Sequence, residues 1–428
     1  RFSDTIMLEM KVFREDSKAV FEDLKRRNMS DDIAKRVIQM DQEWRELIDE
    51  GNKLRSQRNR ISREIGELKK KGKDGSDLLG EMTKIKKGLG DNESKTKETL
   101  VFREEARMRV PNLLDSEVPQ GQSEHDNQEL SLHGKKKKTK TSRSHQEVME
   151  LIGGADLKRA ANITGRRFYF LTGDLARLEM ALINYATDVL CERGYSLTIP
   201  PFMMKKEAYE GVVDLNDFEE VMYKIEDHDL YLIATSEHPL TSRFKDEIIE
   251  MKDKPLRYAG ISTNFRREVG AHGMSDRGIW RVHQFAKVEQ VIICKPEDSK
   301  KFHDELVANA IHIFKGLEIP FRVVDICTGD IGTVAARKFD LEAWMPSSLQ
   351  WKEVVSASNC RSYQSVRLNM RYRTPEGTDF PHTLNATAIA TTRALAAILE
   401  NNQQADGSVV IPKVLRKWMG DQNLIKAK

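Results

Sequence analysis

Between residues 34 and 70 the apolar positions recur three and then four residues apart: Val37, Met40, Trp44, Leu47, Gly51, Leu54, Arg58, Ile61, Ile65 and Leu68. That spacing is an a/d heptad seam, interrupted by Gly51 and Arg58, with mostly charged residues between. It predicts one long helix, roughly 50 Å at about 1.5 Å per residue. KKGKDGS (70–76) breaks it, with Gly72 and Gly75 as turn residues. A weaker track runs on through Leu78, Met82, Ile85, Leu89, Asn92, Thr96, Thr99, Arg103, Ala106 and Val110. Two heptad helices joined by a short turn predict an antiparallel helical hairpin, an arm over 34–110. Such an arm buries one seam and leaves its other faces in water. Residues 8–33 predict short helices that complete an N-terminal domain over 1–112.

Pro111 ends the second helix, and the texture changes. Residues 113–146 are rich in Pro, Gly, Ser and charge and predict a linker. From Glu147 a different pattern begins and runs to 428. LARLEMALINYATDVLCERG (175–194) has helical spacing and stops at Gly194. LTIPPFMM, DLYLIATSE, PLRYAGIST, AKVEQVIIC, FRVVDICTG and KFDLEAWMP are short strand-like segments. Several return by turns rather than by regular helices, which predicts an antiparallel sheet flanked by helices. The whole chain is therefore expected to be α+β.

Composition sharpens this picture in two ways. Of the 428 residues, 39% are hydrophobic and 32% charged, a balance that suits a globular body plus a charged helical element. The net charge of +3 says little, because 70 basic and 67 acidic residues can be mixed or segregated. The four cysteines form no CxxC pair, which argues against a disulfide scaffold and a cysteine-rich zinc site. No apolar run approaches a membrane span, and no secretory signal pattern opens the chain, so a cytoplasmic location is expected. Neither GxGxxG nor GxxxxGK[ST] occurs in phosphate-loop context. Any nucleotide must then be held by arginine forks, a metal and aromatic stacking.

The chemistry concentrates in NFRREVGAHGMSDRGIWRVHQFAKVEQ (264–290). Arg266 offers a planar fork for a phosphate or carboxylate, and Glu268, two residues on, is expected on the same side of a strand. Phe285 offers a flat face for a base, and Glu289 a buried anion for an amine. This segment resembles motif 2 of the seryl-tRNA synthetases, class II enzymes that join serine to tRNA. KEVVSASNC (352–360) and HTLNATAIATTRALAAILENNQ (382–403) come next in the family's order, the latter resembling motif 3. GYSLTIPPFMM (194–204) carries Pro201 where the family has its motif 1 proline, in the dimer interface. LIATSEHPL (232–240) matches the family's serine loop, with Thr235 and Glu237 expected on one side of a strand.

The resemblance implies that Arg266, Glu353 and Arg393 are catalytic, acting on the α-phosphate, on Mg²⁺ and on the γ-phosphate respectively. It implies a serine site of Thr235, Glu237, Arg266, Glu289, Asn385 and Thr387. The implied ATP site comprises Arg266, Arg267, Glu268, Val282, His283, Gln284, Phe285, Glu353, Val354, Val355, Ser356 and Arg393, with Glu353 and Ser356 holding Mg²⁺. No zinc is expected. In the family the arm grips the long variable arm of tRNA(Ser), and here Arg55, Arg58, Arg60, Arg63 and Lys69 to Lys71 near its tip are available to phosphates. The run Lys135 to Lys140 is a further RNA-contact candidate. The loop GAHGMSDRG keeps Arg277 but carries Met274 where many relatives have arginine. A homodimer is expected, and serylation of tRNA(Sec) is a family possibility. A non-catalytic adaptor would have lost a motif arginine or Glu353, and every such position is filled. A threonine or proline enzyme of the same class fits neither the heptad arm nor the TSE segment.

Overall fold

The structure is a computed structural model that describes residues 10–136, 142–214, 218–251, 254–268 and 278–428. It divides into two compact units, one formed by residues 8–111 and the other essentially by 112–428.

The smaller unit is helical. Short helices at Met10–Glu15 and Ser17–Arg26 precede α1 (Asp32–Lys70) and α2 (Ser76–Arg107). Every position of the first heptad track is buried or half-buried, and Ile61, Ile85 and Leu89 form the dry centre of the seam. Gly51 is less an interruption of the seam than a notch in it. Asn92 Nδ2 donates to the Leu47 carbonyl at 3.0 Å, and a Cβ on Gly51 would lie 2.6 Å from Asn92 Oδ1. A buried asparagine that must find its notch fixes the register of the two helices.

Closer to the first helix, Asp41 accepts two hydrogen bonds from Arg14 at 2.7 Å and one from Arg103 at 2.8 Å. The Arg103 guanidinium also lies 4.7 Å from the Trp44 ring centroid. Burial raises the Asp41 pKa, but Arg14 and Arg103 outweigh it and hold the carboxyl below its ordinary value. The stabilisation is therefore present at neutral pH and is lost as pH falls through that lowered value. Asp41→Ala leaves the buried Arg103 with Glu104 as its carboxylate partner and removes the charged hydrogen bonds to Arg14 and Arg103, and is expected to destabilise this unit by about 2 kcal/mol. Chemical denaturation checks this, and an unchanged midpoint would refute the assignment.

The larger unit is built on an eight-stranded sheet. Its strands are β1 (Gln128–His133), β2 (Ser196–Thr198), β3 (Leu256–Phe265), β4 (Gln284–Cys294), β5 (Phe321–Asp325), β6 (Arg337–Met345), β7 (Gln350–Arg361) and β8 (His382–Ala390). They lie in the order β1-β5-β6-β7-β8-β4-β3-β2. All neighbours are antiparallel except β2, which runs parallel to β3 at one edge. The helices α3 (Gly173–Glu192), α5 (Ser299–Gly316) and α6 (Thr391–Asn402) share one core with this sheet. A short helix, α4 (Glu237–Ser242), lies between β2 and β3 in sequence.

Two expectations need correction. The segment 113–146 contains β1, which pairs with β5, so it is built into the sheet rather than lying between domains. Asn112 is fully buried and donates to the Val334 and Cys360 carbonyls, both at 2.8 Å. Its turn-rich composition disguises an edge strand whose Leu130 and Leu132 remain exposed. In the serine-loop segment the strand ends at Leu232, and Glu237 opens α4. The lysine run lies partly outside the described residues; Lys136 rests 4.9 and 4.8 Å from the Trp344 and Trp351 ring centroids.

Candidate active site

The central strands alternate. On β7, Val355 and Ala357 enter the core, while Ser356 and Ser358 line a cleft on the opposite face. On β8, Leu384 and Ala386 enter the core, while Asn385 and Thr387 line the cleft. On β4, Val288 is core, and Lys287 and Glu289 face the cleft. The period of two thus sorts one set of strands into an apolar and a polar face.

Glu353 and Ser356 break this rule usefully. Three residues apart on a regular strand, they would face opposite sides. The β6–β7 register shifts at this point: Leu341 faces Val355 and Glu342 faces Glu353, so Val354 is the extra residue of a bulge. The bulge brings both oxygen-bearing side chains to the cleft wall. One carboxylate plus one hydroxyl suits Mg²⁺ that takes its remaining oxygens from phosphates and water. Among the described residues no group of three or more His, Cys, Asp or Glu side chains is arranged to hold a metal.

The cleft encloses about 300 Å³. Thirteen sequence-predicted residues line it: Thr235, Glu237, Arg266, Glu268, Val282, Phe285, Glu289, Glu353, Val354, Ser356, Asn385, Thr387 and Arg393. The other four are placed elsewhere. The Val355 side chain is in the core, and Arg267 and Gln284 are exposed outside the cleft wall. His283 stacks on Phe168 with centroids 5.1 Å apart, and its Nδ1 lies 2.9 Å from the Tyr223 hydroxyl and 2.8 Å from the Arg266 carbonyl. It braces the Arg266 backbone rather than walling the cleft. Glu268 does line the cleft, but it lies beyond the end of β3 in the left-handed region at φ 47°. Arg167 Nη1 holds its carbonyl at 2.7 Å. Met274 and Arg277 lie outside the described residues.

Arg266 sits at the middle of the cleft. Its Nε donates to the Ala234 carbonyl at 3.3 Å, and its guanidinium lies 5.4 Å from the Phe285 centroid. Burial, and then the charge of Arg393, lower its pKa, opposed by Glu268, Glu353 and Glu289. To one side Arg393 Nη1 donates to Glu353 Oε1 at 2.9 Å and to the Glu353 carbonyl at 3.0 Å. Burial raises the Glu353 pKa, but Arg393, Lys338 and Arg266 together hold it below its ordinary value. The Arg393 guanidinium and the Lys352 ammonium lie 5.7 and 5.2 Å from the Trp280 centroid. With Arg281 on the cleft wall, this side of the site carries the charge to pair with a polyphosphate.

On the other side of Arg266 the pocket is small and polar. Glu289 pairs with Lys287, and Thr387 Oγ1 donates to Glu289 Oε2 at 3.4 Å. Burial raises the Glu289 pKa, opposed by Lys287 and Arg266. Glu237 accepts from Gln364 Nε2 at 3.0 Å, and among the described residues no cation stands at ion-pair distance from it. Burial and the neighbouring Glu289 charge push its pKa up to about 7. The result is an anionic, hydroxyl-bearing pocket fit for a small ammonium-bearing ligand. Sequence reasoning missed Trp280, Arg281, Lys287, Ser358, Ala390 and Thr392, all on the cleft wall. Lys287 carried a signal: two residues before Glu289 on a strand, it had to share that face.

Known proteins resemble both units. The seryl-tRNA synthetase N-terminal domain family matches residues 7–114, and the tRNA synthetase class II core domain (G, H, P, S and T) matches 220–402. The serine--tRNA ligase of Methanospirillum hungatei is 49% identical over 98% of this chain and 100% of its own length. That of Pyrococcus horikoshii is 43% identical over 98% of each chain. A crystal structure of seryl-tRNA synthetase from P. horikoshii complexed with ATP superposes with a TM-score of 0.93 at 42% identity, covering 99% of this chain and 100% of that one. The cytoplasmic serine-tRNA ligase of Naegleria fowleri in complex with AMP gives 0.88 at 35% identity, with the same coverage. The arm, the class II core and identity of this extent over the full length establish that the chain belongs to the seryl-tRNA synthetases, the serine--tRNA ligases of class II.

Proposed function

We propose that this chain attaches L-serine to tRNA(Ser) through a seryl-adenylate. The observation that carries this is Arg266, a single fork between a cationic pocket and a small anionic one. The serine carboxylate oxygen attacks the α-phosphorus of ATP, the bond to the pyrophosphate breaks, and seryl-adenylate forms. The terminal ribose hydroxyl of tRNA then attacks the acyl carbon, and AMP leaves. Arg266 bridges carboxylate and α-phosphate, lowering their repulsion and fixing their approach. Phe285 stacks on the base, Glu268 accepts from its amino group, and Arg393 takes the γ-phosphate. Arg267, His283, Gln284 and Val355 contribute to the nucleotide site through backbone or support. Glu353 and Ser356 are the residues that hold Mg²⁺, which when bound neutralises phosphate charge.

The serine ammonium lies between Glu237 and Glu289, with Thr235, Asn385 and Thr387 completing the pocket. A pocket that pairs its groups with a hydroxyl rejects ligands lacking one, because those groups are left unpaired. The arm binds the tRNA through its exposed basic residues. Two chains pair along the β2 edge, where Leu197, Ile199 and Met203 are exposed. The four unpaired cysteines suit a reducing cytoplasm.

Pyrophosphate exchange with a panel of amino acids tests this reading. Serine should support exchange with the full chain, and alanine should fall about 10⁴-fold lower in kcat/KM. Equal exchange with alanine, threonine or proline would overturn the serine assignment.

A further inference from the structure

Two cations from different elements converge on one buried ring. Trp280 precedes β4, is 6% exposed and lines the cleft. The Arg393 guanidinium, from α6, and the Lys352 ammonium, from β7, lie 5.7 and 5.2 Å from its centroid. Filling space requires no such convergence of like charges. The negative face of the indole offsets their repulsion, and does so more strongly where water is excluded. The ring is itself fixed in place. Ile279 beside it is fully buried, and Gly278 turns with φ 73° against His145, where a Cβ would lie 2.5 Å from Nε2.

Arg393 has a second anchor, the Glu353 carboxylate at 2.9 Å. That anchor has another claim on it, because Glu353 is the carboxylate assigned to Mg²⁺. An anion drawn to a divalent cation has less charge to give to an arginine. The ring carries no such conflict, since it attracts only cations and does not titrate. We infer that Trp280 is a positioning residue that keeps Arg393 aimed at the terminal phosphate of ATP once Glu353 engages the metal. This rests on the synthetase reading, which gives the γ-phosphate to Arg393. Lys352, on the same ring, adds its charge on that side of the cleft.

Calorimetric titration with the β,γ-imido analogue of ATP and with ADP, both with Mg²⁺, isolates the γ-phosphate from the rest of the nucleotide. Trp280→Leu should weaken the ATP analogue about tenfold, the worth of a desolvated cation–π pair, and leave ADP within about twofold. Trp280→Phe keeps a ring of weaker attraction and should lose about threefold. In serine-dependent pyrophosphate exchange the KM for ATP should rise and the KM for serine should not move. Equal weakening of both nucleotides would overturn the inference and leave Trp280 a packing residue. An unchanged preference for the triphosphate would overturn it as well. Should Trp280→Leu fail to fold, Trp280→Phe decides by the same two criteria. Arg393→Ala separates this inference from the reading beneath it: if that variant binds the analogue and ADP as the unaltered chain does, Arg393 does not take the γ-phosphate, and the role of Trp280 falls with it.

Discussion

Arg266→Ala is expected to abolish serine-dependent pyrophosphate exchange and to leave the fold intact. In the proposed reaction Arg266 touches both reactants of the first step. The carboxylate and the α-phosphate are both anionic, and their approach is uphill until a positive charge lies between them. The site is also preorganised: the Ala234 carbonyl holds Nε, the Phe285 ring lies beside the guanidinium, and Glu268, Glu353 and Glu289 hold the charge in place against burial. Removing one such donor from a protected site costs about 10²–10³ in rate, and here two functions are lost together. Arg266→Lys should not restore activity, because an ammonium cannot bridge two oxygens in the plane of a fork. Alanine leaves the Ala234 carbonyl without one partner but opens toward solvent in the cleft, so thermal melting should shift little. Exchange within tenfold of the unaltered chain would remove Arg266 from this role.

The parts of this molecule that are legible in the sequence are those whose signal is periodic. The heptad track yields the arm, including its seam residues, because a long helix buries one stripe at fixed spacing. The polar and apolar faces of β4, β7 and β8 come from period two. Motif residues carry the rest of the cleft through the family resemblance. Local departures from period stay hidden. The bulge at Val354, which brings Glu353 and Ser356 to one face, leaves no mark in composition. The helix that starts at Glu237 is masked because Thr235 and Glu237 alternate like strand residues. The notch at Gly51 looks like a break in the seam, since its partner Asn92 lies on the other helix. Lys287 escapes notice because a lysine within a strand usually faces solvent, whereas this one is buried against Glu289.

Serine activation should rise with pH through about 7 and then level off. Glu237 is the reason. Desolvation and the facing Glu289 charge raise its pKa; the hydrogen bond from Gln364, together with Lys287 and Arg266, only partly offsets this, and His238 and Cys360 beside it add no charge. Its pKa is pushed up to about 7, so near neutrality about half the free enzyme carries a proton at the carboxylate proposed to receive the serine ammonium. Because the two carboxylates interact, the midpoint belongs to the Glu237–Glu289 pair. The pH profile of kcat/KM for serine reports this free-enzyme value. Glu237→Gln should flatten the profile and lower kcat/KM roughly 10- to 100-fold, since a hydrogen bond to a charged group is worth about 1.5–3 kcal/mol. Stability moves the other way. A carboxyl raised in the folded state binds its proton more tightly there than when unfolded, so the protein loses stability as pH rises from the ordinary carboxylate range to about 7. Glu237→Gln removes that loss and should melt higher than the unaltered chain at pH 8 while activating serine poorly. A flat profile between pH 6 and about 8.5 in the unaltered chain, or a glutamine variant that activates serine at full efficiency, would show that the ammonium is held by Glu289 alone.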